Sequence, residues 1–281
     1  MVFNLLPATE LDQAESLVSQ FQNVSLFLGD WIFEEMEKAK QEQPYHILVA
    51  YLASLYGKIT AEKIDHIFES LLNLASSECP RLRKKVIETT NQPDFESVLF
   101  ELEVGYLLLQ HGHRIKVEPL YPKKGPDWGT TLHGQDVYIE AKQLQHDAEE
   151  ELLWNTQDVW TRIVTRSGLD AREWNLYERY LAENQFPDSG LHVLAIDTSK
   201  FLHSDEMLPH AWDYYCHSET KVHSQHPIHV LILCRREDQG YTSWLNDLTD
   251  GAIVLDDPLM PAPDNMLKAV KGAFQPGRGR A

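Results

Sequence analysis

The stretch GPDWGTTLHGQDVYIEAKQL, residues 125–144, is the most strand-like hairpin of this sequence. Its run Val137–Ile139 consists of β-branched and aromatic residues, which favour a half-covered β-strand. Successive side chains of a strand point to opposite faces, so Tyr138, Glu140 and Lys142 share one face. The hairpin therefore ends with a carboxylate and an ammonium group side by side on one face of the strand.

A second carboxylate belongs to the same hairpin, because its first arm begins near Asp127. Two carboxylates that lie close together repel each other unless a cation separates them. Magnesium takes oxygen ligands and uses one or two carboxylates, so Asp127 and Glu140 suit it, with the Ala141 carbonyl as a third ligand. Lys142 could hold or deprotonate the attacking water and stabilise charge on a phosphate. The hairpin thus predicts metal-assisted phosphodiester hydrolysis with Mg2+ or Mn2+.

The motif resembles that of the PD-(D/E)xK nuclease superfamily, which has the restriction-endonuclease-like fold. Pro126-Asp127 is followed, 13 residues beyond the aspartate, by Glu140-Ala141-Lys142 on an apolar strand. Gln143 resembles the polar residue that some members carry directly after the lysine. The resemblance implies that the aspartate and glutamate hold the metal and that Gln143 contacts the substrate.

A long helix precedes the hairpin, FESVLFELEVGYLLLQHGHR at residues 95–114, with Asp94 as its predicted cap. A helix that is apolar nearly all round is buried on most sides, so a carboxylate within it needs a partner, a proton or a metal. The helix is similar to the first core helix of the superfamily, where an acidic residue often joins the metal site. Glu101 matches that position best, and Glu96 and Glu103 are the alternative registers.

The pattern of the whole chain predicts an α/β protein with a restriction-endonuclease-like core, a mixed sheet flanked by helices, preceded by an all-helical module. Residues 1–92 form the helical module, residues 93–275 the nuclease-like domain and residues 276–281 a disordered tail. The predicted strands are 114–118, the arm near Asp127, 137–144, 191–197, 227–234 and 251–255. Residues 147–185 are predicted to be mostly helical.

The helical module contains several apolar runs at helical spacing. One predicted helix covers residues 26–40, and another covers 47–56 and ends at Gly57. The module is interpreted as a packing element or as a contact for a second copy of the chain or a partner protein.

The acidic composition limits how the chain could bind nucleic acid. The net charge of the 281 residues is −18, whereas affinity for phosphate backbones comes mostly from Lys and Arg. Lys123 and Lys124 are the basic residues that stand out by position, just before Asp127, and they are predicted to contact the substrate. Arg162 and Arg166 are a second candidate route for phosphate.

Other function classes find little support in the sequence. Three scattered cysteines and the absence of a CxxC pair argue against a disulfide framework or a zinc site. Six histidines between residues 203 and 229 lack zinc-ligand spacing and are interpreted as part of a polar loop and helix. The longest apolar run, 47–56, is too short to span a bilayer, and no secretory leader is evident, so a cytoplasmic protein without a membrane partner is expected.

The resulting prediction is a Mg2+-dependent nuclease with DNA as the expected substrate and RNA as the alternative. The alternative is a catalytically inactive, nuclease-like scaffold that serves as an interaction or assembly subunit, which the charge of −18 would suit.

Overall fold

The computed structural model describes residues 6–74, 78–143, 186–199, 204–217, 227–234, 236 and 252–274. These residues divide into two compact units, here called the helical unit, up to residue 112, and the sheet unit, from residue 113 onwards. The predicted helices of residues 147–185, with Arg162 and Arg166, lie outside the described residues.

The helical unit is built from amphipathic helices whose apolar sides meet in one core. Phe27 and Phe68 stack at its centre with their ring centroids 4.0 Å apart, an arrangement in which aromatic pairs gain more than their buried area alone. The described helices of this unit are α1 Ala8–Gln20, α2 Gln22–Leu28, α3 Trp31–Lys40, α4 Ile47–Ala53, α5 Gly57–Leu71, α6 Cys79–Glu88 and α7 Gln92–Gln110.

Three local predictions in this region are wrong. Residues 26–40 form parts of two helices, because Gly29 adopts φ +64° and interrupts the run. Gly57 begins α5 instead of ending a helix, and a Cβ there would lie 2.0 Å from the Leu52 carbonyl oxygen, so close packing is what requires glycine. Asn91 caps α7, because its side chain accepts from the N–H of Asp94 at 2.9 Å.

Helix α7 is buried along most of its length and carries three buried carboxylates. Glu103 lies 3.0 Å from the ammonium of Lys63, and Glu96 accepts a 2.7 Å hydrogen bond from the Tyr51 hydroxyl. Buried charges require such partners. Since the partners belong to the helical unit, α7 groups with that unit, whereas the sequence analysis placed it at the start of domain 93–275.

The sheet unit contains a six-stranded mixed sheet in which strand order follows chain order. Its described elements are β1 Ile115–Val117, β2 Trp128–Leu132, β3 Gln135–Gln143, β4 Leu191–Asp197, α8 Ser204–His217, β5 Val230–Cys234, β6 Ile253–Asp256 and α9 Asp264–Ala273. Strands β1, β2 and β3 are antiparallel, β3, β4 and β5 are parallel, and β6 is antiparallel to β5. The predicted α/β architecture with a mixed sheet is confirmed.

The central strands β4 and β5 are buried on both faces, as their continuous apolar runs predict. Helix α8 covers one of these faces, where Trp212 and Tyr215 pack with Leu194 and Leu231. Burial raises the pKa of Tyr215 to about 12. Leu194 of β4 pairs with Glu140 of β3. Because paired residues point to the same face of a sheet, α8 covers the face from which the Glu140 side chain projects.

No helix in the described part of the chain is long and apolar enough to cross a membrane.

Candidate active site

Strand β3 presents two different faces, as the alternation of its residues predicts. Ile139 and Ala141 are buried, while Tyr138, Glu140 and Lys142 are partly exposed on the other face. The exposed fractions of the Glu140 and Lys142 side chains are 15% and 18%. These charged groups are therefore partly shielded from solvent but remain accessible to a ligand.

Asp127 lies next to this end of β3. In the antiparallel register Trp128 pairs with Ile139, so the preceding residue, Asp127, stands opposite Glu140. Residues directly opposite in such a pair project from the same face of the sheet. The Asp127 side chain also contacts the strand directly, since its Oδ2 accepts the backbone N–H of Ala141 at 2.9 Å.

The carbonyl of Ala141 points toward the neighbouring segment that contains Asp127. The N–H and C=O of one strand residue point to the same neighbour, and the Ala141 N–H points to the Asp127 carboxylate. Strand β2 begins only at Trp128. Asp127, Glu140 and Ala141 thus occupy neighbouring positions at the open end of the hairpin.

Lys142 completes the group. Its Nζ lies 3.9 Å from the Oε1 of Glu140, a distance at which Coulomb attraction acts without a close hydrogen bond. Tyr138 precedes both residues on the same face, and burial, followed by the nearby Asp136 charge, raises the pKa of its hydroxyl. The phenol therefore stays neutral near pH 7, and the ammonium of Lys142 is the cationic donor at this end of the strand.

The donor set is of the kind that hard divalent cations take. Among the described residues, no group of three or more His, Cys, Asp or Glu is placed to hold a metal ion. Magnesium uses one or two carboxylates together with carbonyl or water oxygens. Asp127, Glu140 and the Ala141 carbonyl supply that set, so the residues present fit Mg2+ or Mn2+.

Gln143 lies away from this group. It is buried on the opposite face of β3, where its Nε2 is 3.4 Å from Oδ2 of Asp197. The same carboxylate oxygen accepts from Nε of Arg236 at 2.9 Å, and both side chains of that ion pair are almost fully buried. The structure thus places Gln143 in a buried polar cluster rather than beside Lys142.

Glu101 has a partner of its own within the helical unit. Its carboxylate forms an ion pair with Lys85 of α6. That pair supplies the counter-charge that a buried carboxylate needs.

The basic residues predicted to bind substrate lie in the loop between β1 and β2. Lys123 and Lys124 are exposed there, and the loop ends at Asp127. Two further exposed residues, Lys116 of β1 and Tyr121 of this loop, were missed by the sequence analysis. The alternation of RIKVE at residues 114–118 would have placed Lys116 on an outer face, but no sequence signal marks Tyr121.

The histidine-rich stretch is only partly described. His210 and His217 are exposed on α8, and His229 lies just before β5. His203, His223 and His226 lie outside the described residues.

Comparison with known proteins adds one distant similarity. No family model matches the chain, and no solved structure matches it. The chain is similar to the tail-specific protease of Haemophilus influenzae, with 25% identity over 169 residues, which is 59% of this chain and 23% of the protease. The chain thus spans less than a quarter of that protein's length.

Proposed function

We propose that this chain is a Mg2+-dependent nuclease that hydrolyses phosphodiester bonds in DNA. The observation that carries the proposal is the grouping of Asp127, Glu140 and Lys142 at one end of the β2–β3 hairpin. Asp127 and Glu140 stand opposite each other in the register, Asp127 binds the Ala141 N–H, and Lys142 lies 3.9 Å from Glu140.

Each of these residues has a distinct role in the proposed hydrolysis. Asp127 and Glu140 hold the cation through carboxylate oxygens, and the carbonyl of Ala141 adds a third oxygen. A bound Mg2+ supplies positive charge to the phosphate and lowers the pKa of water. Lys142 orients the attacking water and stabilises negative charge that develops on the phosphate, since a fixed ammonium in a partly shielded site acts more strongly than in bulk water.

Glu101 is not assigned to the metal in this proposal. Its ion pair with Lys85 already neutralises the buried carboxylate. The cation therefore depends on Asp127 and Glu140, a number of carboxylates that Mg2+ commonly uses.

The order of the elements supports a restriction-endonuclease-like core. A helix, α7, precedes three antiparallel strands, and β4 then pairs parallel to β3. The resemblance implies the order helix, three strands, helix, strand, and the second of these helices would fall between β3 and β4, outside the described residues. Fold alone does not fix function, so the proposal depends on the residues at the hairpin end.

Purified protein incubated with Mg2+, Mn2+ or EDTA and labelled DNA tests the proposal. We expect cleavage with either metal and none with EDTA. Glu140→Gln should abolish cleavage, because the amide keeps the shape of the side chain but loses its charge, and Lys142→Met should slow it about 100-fold or more.

Asp136→Asn is the matched control. Asp136 is an exposed carboxylate of the same hairpin whose Oδ1 accepts from the Thr131 hydroxyl at 3.0 Å, so its loss should leave cleavage unchanged. If wild-type protein cuts no DNA with either metal, or if Glu140→Gln cuts as fast as wild type, the proposal fails and the assembly-subunit alternative becomes the better account.

A further inference from the structure

The loop that joins β1 to β2, residues 118–127, is closed on itself by backbone hydrogen bonds. The Glu118 N–H donates to the Asp127 carbonyl at 2.8 Å, which ties the two ends together. Within the loop, the Tyr121 N–H donates to the Glu118 carbonyl at 2.8 Å and the Lys123 N–H to the Leu120 carbonyl at 3.0 Å. Compact surface loops with joined ends are frequently functional.

This loop folds over the sheet face that carries the candidate active site. Gly129 of β2 pairs with Tyr138 of β3, so the two residues share a face with Glu140. A Cβ at Gly129 would lie 2.9 Å from the side chain of Pro119. The ring of Pro119 therefore lies directly on that face, over Gly129.

The site consequently lies between two coverings on one face of the sheet. Helix α8 covers β4 and β5, where it packs on Leu194 and Leu231. The loop covers β2 on the other side through Pro119. Glu140 and Lys142 lie on β3, the strand between them.

The outer part of the loop presents an aromatic ring and two cations. The side chain of Tyr121 is 64% exposed, and Lys123 and Lys124 are exposed two and three residues later. The base of the loop is packed, since a Cβ at Gly125 would lie 2.8 Å from the Leu120 side chain. The loop therefore has a packed base and an exposed tip that carries Tyr121, Lys123 and Lys124.

We propose that this loop is a clamp for single-stranded DNA, in which Tyr121 stacks on an unpaired base while Lys123 and Lys124 contact the adjoining phosphates. The inference rests on the proposed nuclease function for its ligand. Bases within a duplex already stack on one another, so an exposed ring gains a partner only from an unpaired base. An aromatic platform beside cations is the arrangement by which proteins hold single strands without reading sequence.

Fluorescence anisotropy with a labelled oligo-dT strand and with a duplex of equal length, both in EDTA and low salt, tests the clamp without cleavage. Wild type should bind the single strand more tightly than the duplex. Tyr121→Ala should weaken single-strand binding about 10-fold or more, the scale of one lost base–aromatic stack, and Tyr121→Phe should keep it. Lys123→Ala/Lys124→Ala should weaken binding and, when the salt concentration is varied, reduce the salt slope by about 1.4 units, because each phosphate contact to a single strand contributes about 0.7.

Matched controls separate the loop from general surface effects. Tyr214 of α8 is a tyrosine with a similar exposure, 57%, and Tyr214→Ala should leave binding unchanged. Lys84 and Lys268 are exposed lysines elsewhere in the chain, and their double alanine variant should reduce the salt slope less than the Lys123 and Lys124 pair does.

The outcomes distinguish the clamp from the nuclease. Equal binding of single strand and duplex, or a Tyr121→Ala variant that binds like wild type, overturns the clamp even if the protein cleaves DNA. Single-strand binding that requires Tyr121, in a protein that cuts nothing with Mg2+ or Mn2+, supports the clamp and contradicts the nuclease.

Discussion

Asp127 has one role that the structure shows and one that is proposed, and two substitutions can separate them. Its carboxylate is assigned to the metal, and its Oδ2 also accepts the Ala141 N–H at 2.9 Å. Asp127→Asn removes the charge but keeps an oxygen acceptor, whereas Asp127→Ala removes both. Both substitutions remove the repulsion between the Asp127 and Glu140 charges, which by itself would stabilise the fold. Any difference in stability between the two variants therefore comes from the hydrogen bond to Ala141.

The size of that difference follows from the kind of hydrogen bond. A bond to a charged acceptor contributes about 1.5–3 kcal/mol and one between neutral groups about 0.5–1.5 kcal/mol. Asp127→Asn retains the smaller contribution and also relieves like-charge repulsion, so its free energy of unfolding should stay close to that of wild type. Asp127→Ala leaves the Ala141 N–H without this acceptor and should unfold with about 1 kcal/mol less free energy than Asp127→Asn.

Equilibrium urea unfolding in EDTA, followed by tryptophan fluorescence, measures this difference. Trp128 adjoins Asp127 and is fully buried, so it contributes to the change in emission of the seven tryptophans when the chain unfolds. Asp136→Ala is the control for loss of an exposed carboxylate from the same hairpin. Equal stability of Asp127→Ala and Asp127→Asn would refute the structural role of the Asp127–Ala141 hydrogen bond.

Three further predictions concern stability away from the reacting groups. Arg236→Met should lower the free energy of unfolding by about 3–5 kcal/mol in urea titrations, because it leaves the buried charge of Asp197 without its 2.9 Å partner. Gly190→Ala should destabilise more than Gly134→Ala in the same assay, since both have positive φ but a Cβ at Gly190 would lie 2.6 Å from an aromatic ring, whereas nothing lies within 4 Å at Gly134. Burial lowers the pKa of His46, so the unfolded chain binds a proton first and stability should fall as the pH drops below about 6.5. The free energy of unfolding should therefore change more between pH 8 and pH 5.5 in wild type than in His46→Gln.

The sheet was largely predictable because its strands carry local signals. The apolar run at Leu191–Asp197 predicts a buried central strand with the observed bounds. The alternation of β3 predicts which side chains share a face, and it could also have placed Gln143 opposite Lys142. Such patterns depend on neighbouring residues, which is why a single sequence reveals them.

Partners from distant parts of the chain were not predictable. The sequence shows that Glu101 lies in an apolar helix and needs a partner, but Lys85 and a metal satisfy that need equally well. Only tertiary packing selects between them. The break between two helices within residues 26–40 was also not predictable. The helical spacing of apolar residues continues through Gly29, although the backbone of Gly29 adopts φ +64°.

Calorimetric titration of the protein with Mn2+ tests the central claim most directly. The proposed nuclease activity requires a cation bound by Asp127 and Glu140. The account predicts one ion bound per chain in wild type, no measurable binding in Asp127→Asn or Glu140→Gln, and binding like that of wild type in Lys142→Met and in the Asp136→Asn control. Absence of binding in wild type, or binding that survives both Asp127→Asn and Glu140→Gln, would contradict it.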